Sequence, residues 1–101
     1  MSTIRPILIV EDDSALRATL AEQLAAEGGF LAEEAESAAA AEAKLAHADA
    51  RYDAILLDIG LPDGDGRELC AKLRRNGKKM PVIMLTGADA EADVVRAREH
   101  D

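Results

Sequence analysis

Short apolar runs alternate along the chain with longer segments of helical character, and this alternation limits the possible folds more than any other feature. Three runs of four to seven residues are too short for helices and read as buried strands: Ile7–Val10, Tyr52–Asp58 and Pro81–Leu85. Phe30–Glu34 is a weaker strand, because Ala and Glu are poor strand formers. Strands that are apolar on both faces and separated by helices predict an α/β domain with a parallel sheet covered on both sides.

The intervening segments carry helix signals. Leu16, Leu20 and Leu24 recur every four residues, and the helix that they predict ends at Gly28 and Gly29. Further helices are predicted from Ser37 to about His47, from Arg67 to about Arg75, and from Asp89 to His100. The segment Gly60–Gly66 holds three glycines and a proline, which predicts a loop with neither helix nor strand.

Length, charge and cysteine content exclude several classes of function. The 101 residues are enough for one domain, and the net charge of −8 disfavours binding to nucleic acid or to an anionic membrane. The single cysteine, Cys70, excludes an internal disulfide framework and a cysteine metal cluster. No apolar run is long enough for a signal peptide or a membrane span, so we expect a soluble cytoplasmic domain.

Acidic and hydroxyl side chains stand at the points where the predicted strands end. Glu11, Asp12 and Asp13 follow the first strand, Asp58 ends the third, and Thr86 follows the fourth. Ligands of open parallel sheets bind outside the carboxyl ends of the strands, so we expect Asp12, Asp13 and Asp58 to converge there. Each residue also has an ordinary structural interpretation, since aspartates and threonines commonly cap helices and aspartates commonly form turns.

A convergence of three carboxylates has a chemical meaning. Charges about 4 Å apart repel by roughly 1–4 kcal/mol per pair, which a fold tolerates where a cation is bound. Oxygen ligands open to water suit Mg²⁺ or Mn²⁺ better than zinc. A cation beside a lone carboxylate indicates phosphoryl transfer, with Asp58 as the nucleophile and the Thr86 hydroxyl in contact with a phosphoryl oxygen.

Three segments together resemble the receiver domain of two-component response regulators. They are Ile7–Asp13, Leu56–Pro62 with Asp65 and Gly66, and Pro81–Thr86, and the similarity extends from about Ile7 to the last residue. The resemblance implies a flavodoxin-like (CheY-like), doubly wound parallel sheet of order 2-1-3-4-(5). It also implies a phosphoacceptor, Asp58, that is modified by a histidine kinase or a phosphotransfer protein, in a signalling domain that is not a turnover enzyme. By the same resemblance, Asp12, Asp13, Asp58 and the backbone carbonyl of Gly60 hold Mg²⁺, and Thr86 is the switch hydroxyl.

The sequence departs from that family in one important way. The family carries a lysine at the end of a fifth strand, but only 15 residues follow Thr86 and none of them is a lysine. We therefore expect residues 1–101 to form a single, C-terminally incomplete receiver domain that lacks strand five and helix five. The output domain or output partner is not in this chain.

Two alternatives are weighed against the phosphorylated receiver. A degenerate receiver that acts only as a phosphorylation-independent interaction module fits the absent lysine. A haloacid dehalogenase phosphatase fits poorly, because Asp12 is followed by Asp13 and Ser14 and the Asp-x-Asp motif is missing. A sheet that ends at Val82–Leu85 would leave an unpaired apolar edge, so we also expect aggregation or dimerisation through that strand.

Overall fold

The computed structural model describes residues 4–47, 49–85 and the backbone of residues 98–100. Within them the strands are β1 Arg5–Val10, β2 Phe30–Ala35, β3 Ala54–Asp58, β4 Gly60–Leu61, β5 Gly64–Asp65, β6 Val82–Leu85 and β7 Arg98–His100. The helices are α1 Ser14–Glu27, α2 Ala38–Leu45 and α3 Gly66–Arg75. Among the residues described, no helix is both long and apolar enough to cross a membrane.

One sheet of order β2-β1-β3-β6-β7 organises the domain. The pairs β1–β2, β1–β3 and β3–β6 are all parallel, as the alternation of strands and helices predicts. Strand β1 lies between two neighbours, and its residues Leu8, Ile9 and Val10 are fully buried. The order expected from the sequence for the first four parallel strands is the flavodoxin-like 2-1-3-4. These strands are β1, β2, β3 and β6 here, and the order β2-β1-β3-β6 confirms that expectation.

Helices cover both faces of the sheet. On one face Leu8, Val10 and Leu57 pack with α2 and α3, and on the other face Ile9 packs with Leu20 of α1. Leu16 and Leu24 complete the predicted leucine stripe as partly buried neighbours. Burial of opposite faces by alternate residues of one strand is the period-two geometry that a doubly wound sheet requires.

The segment Gly60–Gly66 corrects one sequence prediction. Instead of an irregular loop it contains β4 and β5, which pair antiparallel with Gly60 opposite Asp65 and Leu61 opposite Gly64. Two-residue strands leave no periodic signal in the sequence, so the hydrophobic pattern could not reveal this pairing. The pairing holds the chain close to the end of β3.

Two further sequence predictions, both about the end of the chain, are corrected by the structure. Residues 98–100, predicted as helix, form β7, which pairs antiparallel with β6 so that Val82 lies opposite His100. The prediction that β6 is the unpaired edge is therefore wrong, because the open edge of β6 offers hydrogen-bonding groups that a returning segment can use. No parallel fifth strand is present among the described residues, and residues 89–97 of the predicted helix lie outside them.

Candidate functional site

The carboxyl ends of β1 and β3 bring three acidic side chains together. Val10 lies opposite Leu57 in the parallel register, so the residues that follow them emerge at the same edge of the sheet. One carboxylate oxygen each from Glu11, Asp12 and Asp58 lies within 4.8 Å of the others. We call these three residues the acidic cluster.

Burial makes the charges of the acidic cluster costly. Glu11 is 4% exposed and Asp58 is 7% exposed, whereas Asp12 is open to solvent. Loss of hydration raises the pKa of Glu11 to about 7, with the nearby charges of Asp58 and Asp12 adding to the effect and a hydrogen bond from the Asp13 N–H opposing it. Burial also raises the pKa of Asp58, and the charge of Asp12 raises it further. The site thus carries more negative charge than its own groups neutralise.

Asp13 does not join the acidic cluster. It is the N-cap of α1, and its Oδ1 accepts hydrogen bonds from the backbone N–H groups of Ala15 at 3.0 Å and Leu16 at 3.1 Å. Its place is taken by Glu11, whose N–H donates to the carbonyl of Ala35 in β2 and so extends the sheet by one residue. The expected convergence is therefore found for Asp12 and Asp58, while Asp13 has the capping role that was the alternative.

Backbone contacts fix the position of Asp58. The backbone N–H groups of Gly60 and Ile59 lie near its carboxylate and oppose the rise in its pKa. Gly60 is held in turn by its pairing with Asp65, the N-cap of α3. The N–H of Gly66 donates to the Ile59 carbonyl at 2.8 Å.

Gly66 allows the first turn of α3 to approach the end of β3. A Cβ at this position would overlap the backbone carbonyl oxygen of Asp58, whereas a Cβ on Gly64 would meet nothing within 4 Å. The missing side chain at Gly66 therefore sets how closely α3 packs against Asp58.

Thr86 lies outside the described residues, but its neighbour in sequence is placed. Leu85, the last residue of β6, lies opposite Asp58 in the parallel register. The last lysines of the sequence, Lys78 and Lys79, precede β6 and so stand at the opposite edge of the sheet from the acidic cluster.

Arg17 is a residue at this site that the sequence analysis missed. Its Nη1 donates to the backbone carbonyl of Glu11 at 2.7 Å, and its Nε donates to Oε1 of Glu34 in β2 at 2.8 Å. The only signal in the sequence is its spacing, because the fourth residue after a cap at Asp13 comes back over the same end of the helix.

Other acidic residues near the site have protein partners. Asp63 accepts hydrogen bonds from the N–H groups of Ala38 and Ala39 in α2, and Asp65 pairs with Arg67 at 2.8 Å. Cys70 is fully buried in the core, as expected for a small hydrophobic residue.

Curated proteins of similar sequence include transcriptional regulatory proteins and response regulators. The transcriptional regulatory protein TcrA of Mycobacterium tuberculosis is 41% identical over 88 residues, which cover 86% of this chain and 33% of TcrA. The transcriptional regulatory protein ResD of Bacillus subtilis is 40% identical over 93 residues, which cover 92% of this chain and 37% of ResD. The chain therefore spans about a third of the length of these relatives.

Solved structures of similar fold include response regulators. A receiver domain protein from Methanospirillum hungatei superposes with a TM-score of 0.76 at 35% identity, covering 84% of this chain and 66% of the other. The response regulator TrrA from Thermotoga maritima, in complex with Mg²⁺-BeF, gives a TM-score of 0.75 at 30% identity, covering 91% and 78%.

A comparison with family models gives the same result as the sequence and structure similarities. The model of the response regulator receiver domain matches residues 7–101, nearly the whole sequence. The chain therefore belongs to the family of response regulator receiver domains.

Proposed function

We propose that this chain is a phosphoacceptor receiver domain in which Asp58 takes a phosphoryl group from a histidine kinase or a phosphotransfer protein. The observation that carries the proposal is the buried Asp58 carboxylate, which lies within the acidic cluster at the carboxyl edge of the sheet. The phosphorylated domain then controls an output, for which the names of TcrA and ResD suggest transcription. The kinase or phosphotransfer protein and the output partner would meet it in the cytoplasm.

The acidic cluster fits Mg²⁺ or Mn²⁺. Its donors are carboxylate oxygens, and one of its members is open to solvent. The pKa values of Glu11 and Asp58 are raised first by burial and then by neighbouring negative charge, and a bound cation would relieve both effects. Asp12, Asp58 and the Gly60 carbonyl would hold the cation, with Glu11 beside it in the place that the sequence analysis gave to Asp13. When bound, the cation neutralises charge on the phosphoryl oxygens.

The chain's own groups account for the remaining chemistry. An oxygen of the Asp58 carboxylate forms the bond to phosphorus as the bond from phosphorus to the donor's imidazole nitrogen breaks. The N–H groups of Gly60 and Ile59 favour the ionised form of that carboxylate, which is the form that attacks. The Thr86 hydroxyl, which follows Leu85 in sequence, would then bind a phosphoryl oxygen and signal the modified state.

The second candidate is a receiver that works without phosphorylation. It is favoured by one observation: Lys78 and Lys79 precede β6 and so stand at the opposite edge of the sheet from the acidic cluster, where neither can pair with a phosphoryl group on Asp58. In that case the domain is never phosphorylated, and it binds its partner through the unmodified conformation alone.

Labelling with a small acyl phosphate donor and Mg²⁺ distinguishes the two candidates. We expect the wild type to take up one phosphoryl group that is stable in acid and labile in base, and Asp58→Asn to take up none. Asp53→Asn is the matched control, because Asp53 is a partly exposed aspartate at the other end of β3. Labelling of Asp58→Asn would show that another residue is the nucleophile, and an unlabelled wild type would favour the interaction module.

A further inference from the structure

Arg17 links three elements beside the acidic cluster. The residue lies in the second turn of α1, its guanidinium bonds the carbonyl of Glu11 at the end of β1, and it also bonds the carboxylate of Glu34 in β2. The side chain is 17% exposed, so most of it is packed against the protein. Its two hydrogen bonds use different nitrogen atoms of one planar group, which fixes its orientation.

The accepting carbonyl belongs to the peptide unit that joins Glu11 to Asp12. Any rotation of this peptide unit moves both carboxylates relative to Asp58. The Arg17 contact acts on the backbone, because its hydrogen bonds go to the Glu11 carbonyl and to Glu34 and not to the carboxylates of the acidic cluster.

We propose that Arg17 is a positioning residue that holds Glu11 and Asp12 in the geometry that binds the divalent cation. This inference rests on the proposed function, since it assumes that the acidic cluster binds Mg²⁺. Residues that orient metal ligands from outside the coordination sphere typically change metal affinity about 10–100-fold when they are replaced.

The charge of Arg17 and its contact with the Glu11 carbonyl predict opposite effects on Mg²⁺ affinity when Arg17 is replaced. A guanidinium near a cation site repels the cation, so removing its charge alone would strengthen Mg²⁺ binding. Removing its hold on the Glu11 carbonyl would weaken Mg²⁺ binding. The direction of the change therefore identifies which effect dominates.

The test measures the Mg²⁺ dissociation constant of the folded full chain by calorimetry, alongside the free energy of unfolding without Mg²⁺. The variants are Arg17→Gln, which loses the charge, Arg17→Lys, which keeps the charge but loses the planar fork, and Glu34→Gln, which weakens one support. Arg5→Gln is the control, because it removes the same charge from the start of β1, roughly 20 Å along the strand from the site.

We expect Arg17→Gln to weaken Mg²⁺ binding about tenfold, Arg17→Lys and Glu34→Gln to weaken it less, and Arg5→Gln to leave it within about twofold, since salt screens a charge at that distance. Binding by Arg17→Gln that equals or exceeds the wild type would overturn the proposal, even if its stability falls. Should Arg17→Gln fail to fold, Arg17→Lys decides in the same way. A wild type that binds no Mg²⁺ would overturn the proposed metal site itself, which separates the two failures.

Discussion

At the scale of single residues, the burial of Glu11 makes stability depend on pH. The pKa of Glu11 is about 7 in the folded chain and near 4.5 when it is free of these neighbours. The folded state therefore binds a proton more tightly than the unfolded state between these values. The stability that this proton confers is complete below pH 4.5 and is lost as the pH rises through 7.

Glu11→Gln should remove this dependence. Without divalent cations we expect the variant to be more stable than the wild type by about 1–3 kcal/mol at pH 8, and to differ little at pH 5. Urea denaturation at the two pH values measures the difference. Excess Mg²⁺ should stabilise the wild type more than the variant, and a constant difference across pH would contradict the assignment of Glu11.

Gly66 supports a second prediction at this scale. Alanine is a better helix former than glycine by about 1 kcal/mol, so propensity alone predicts that Gly66→Ala stabilises α3. The overlap with the Asp58 carbonyl predicts the reverse, a loss of about 1–3 kcal/mol, because the Asp58–Ile59 peptide must shift.

The control for Gly66→Ala is Gly64→Ala, whose new methyl group meets open space in the same hairpin. We expect the control to retain both stability and the rate of Asp58 labelling, and Gly66→Ala to lose both, as measured by denaturation and by single-turnover labelling. Equal behaviour of the two variants would mean that α3 moves away from β3 at little cost.

At the scale of elements, α2 is capped from two directions. Ser37 caps it locally by accepting from Ala40 N–H at 3.0 Å, and Asp63 reaches across from the β4–β5 hairpin to Ala38 at 2.8 Å and Ala39 at 2.9 Å. These two N–H groups hold the pKa of Asp63 below its usual range. The stability that Asp63 supplies is therefore present at neutral pH and is lost as the pH falls through this lowered value.

Amide hydrogen exchange can separate the two caps of α2. We expect Asp63→Ala to speed exchange at Ala38 and Ala39 while Ala40 stays protected, and Ser37→Ala to do the converse. Uniform acceleration along α2 in both variants would show that the helix opens as one unit. The exchange rates therefore show whether the β4–β5 hairpin, through Asp63, stabilises the first turn of α2.

The elements also show what the sequence could reveal about the fold. Runs of buried residues predicted β1, β3 and β6, and the leucine stripe predicted α1, because burial imposes a period along the chain. The hydrophobic pattern does not predict the strands β4, β5 and β7, because they have only two or three residues and no apolar period. These short strands form where the unpaired edge of another strand lies nearby. This proximity exists only in the folded domain and is not visible in the sequence.

The same limit applies to the candidate site. Strand ends located Asp12 and Asp58, because a parallel sheet places those ends at one edge. The choice between Glu11 and Asp13 could not be made from sequence, because it depends on where strand pairing stops and helix capping begins. Arg17 lies one turn further on, and its role is visible only once β1, α1 and β2 have packed together.

At the scale of the whole molecule, the net charge of −8 affects stability. Like charges are closer together in the folded chain than in the unfolded chain, and salt screens their repulsion over about 8 Å at physiological ionic strength. The ion pairs between described residues are partly exposed, as in Arg5–Asp53, so they offset little of this repulsion.

We therefore expect the denaturation midpoint to rise as NaCl increases to about 0.5 M and then to level off, because the screening length becomes shorter than most charge separations. KCl at equal ionic strength is the control, and it should give the same curve if screening is the cause. A midpoint that falls with salt would mean that attractive pairs outweigh the net repulsion.

The central position of β1 has a consequence for the order of folding. This strand is made before either of its neighbours, since Arg5 pairs with Phe30 and Ile7 with Ala54. Its most deeply buried residues, Leu8, Ile9 and Val10, stay uncovered until both later strands have been synthesised. Parallel pairings between distant segments form slowly, because loop closure must come before the contacts that reward it. During synthesis, the most aggregation-prone segment of this protein is therefore exposed for the longest time. The yield of folded protein depends on how soon β3 is synthesised and pairs with β1.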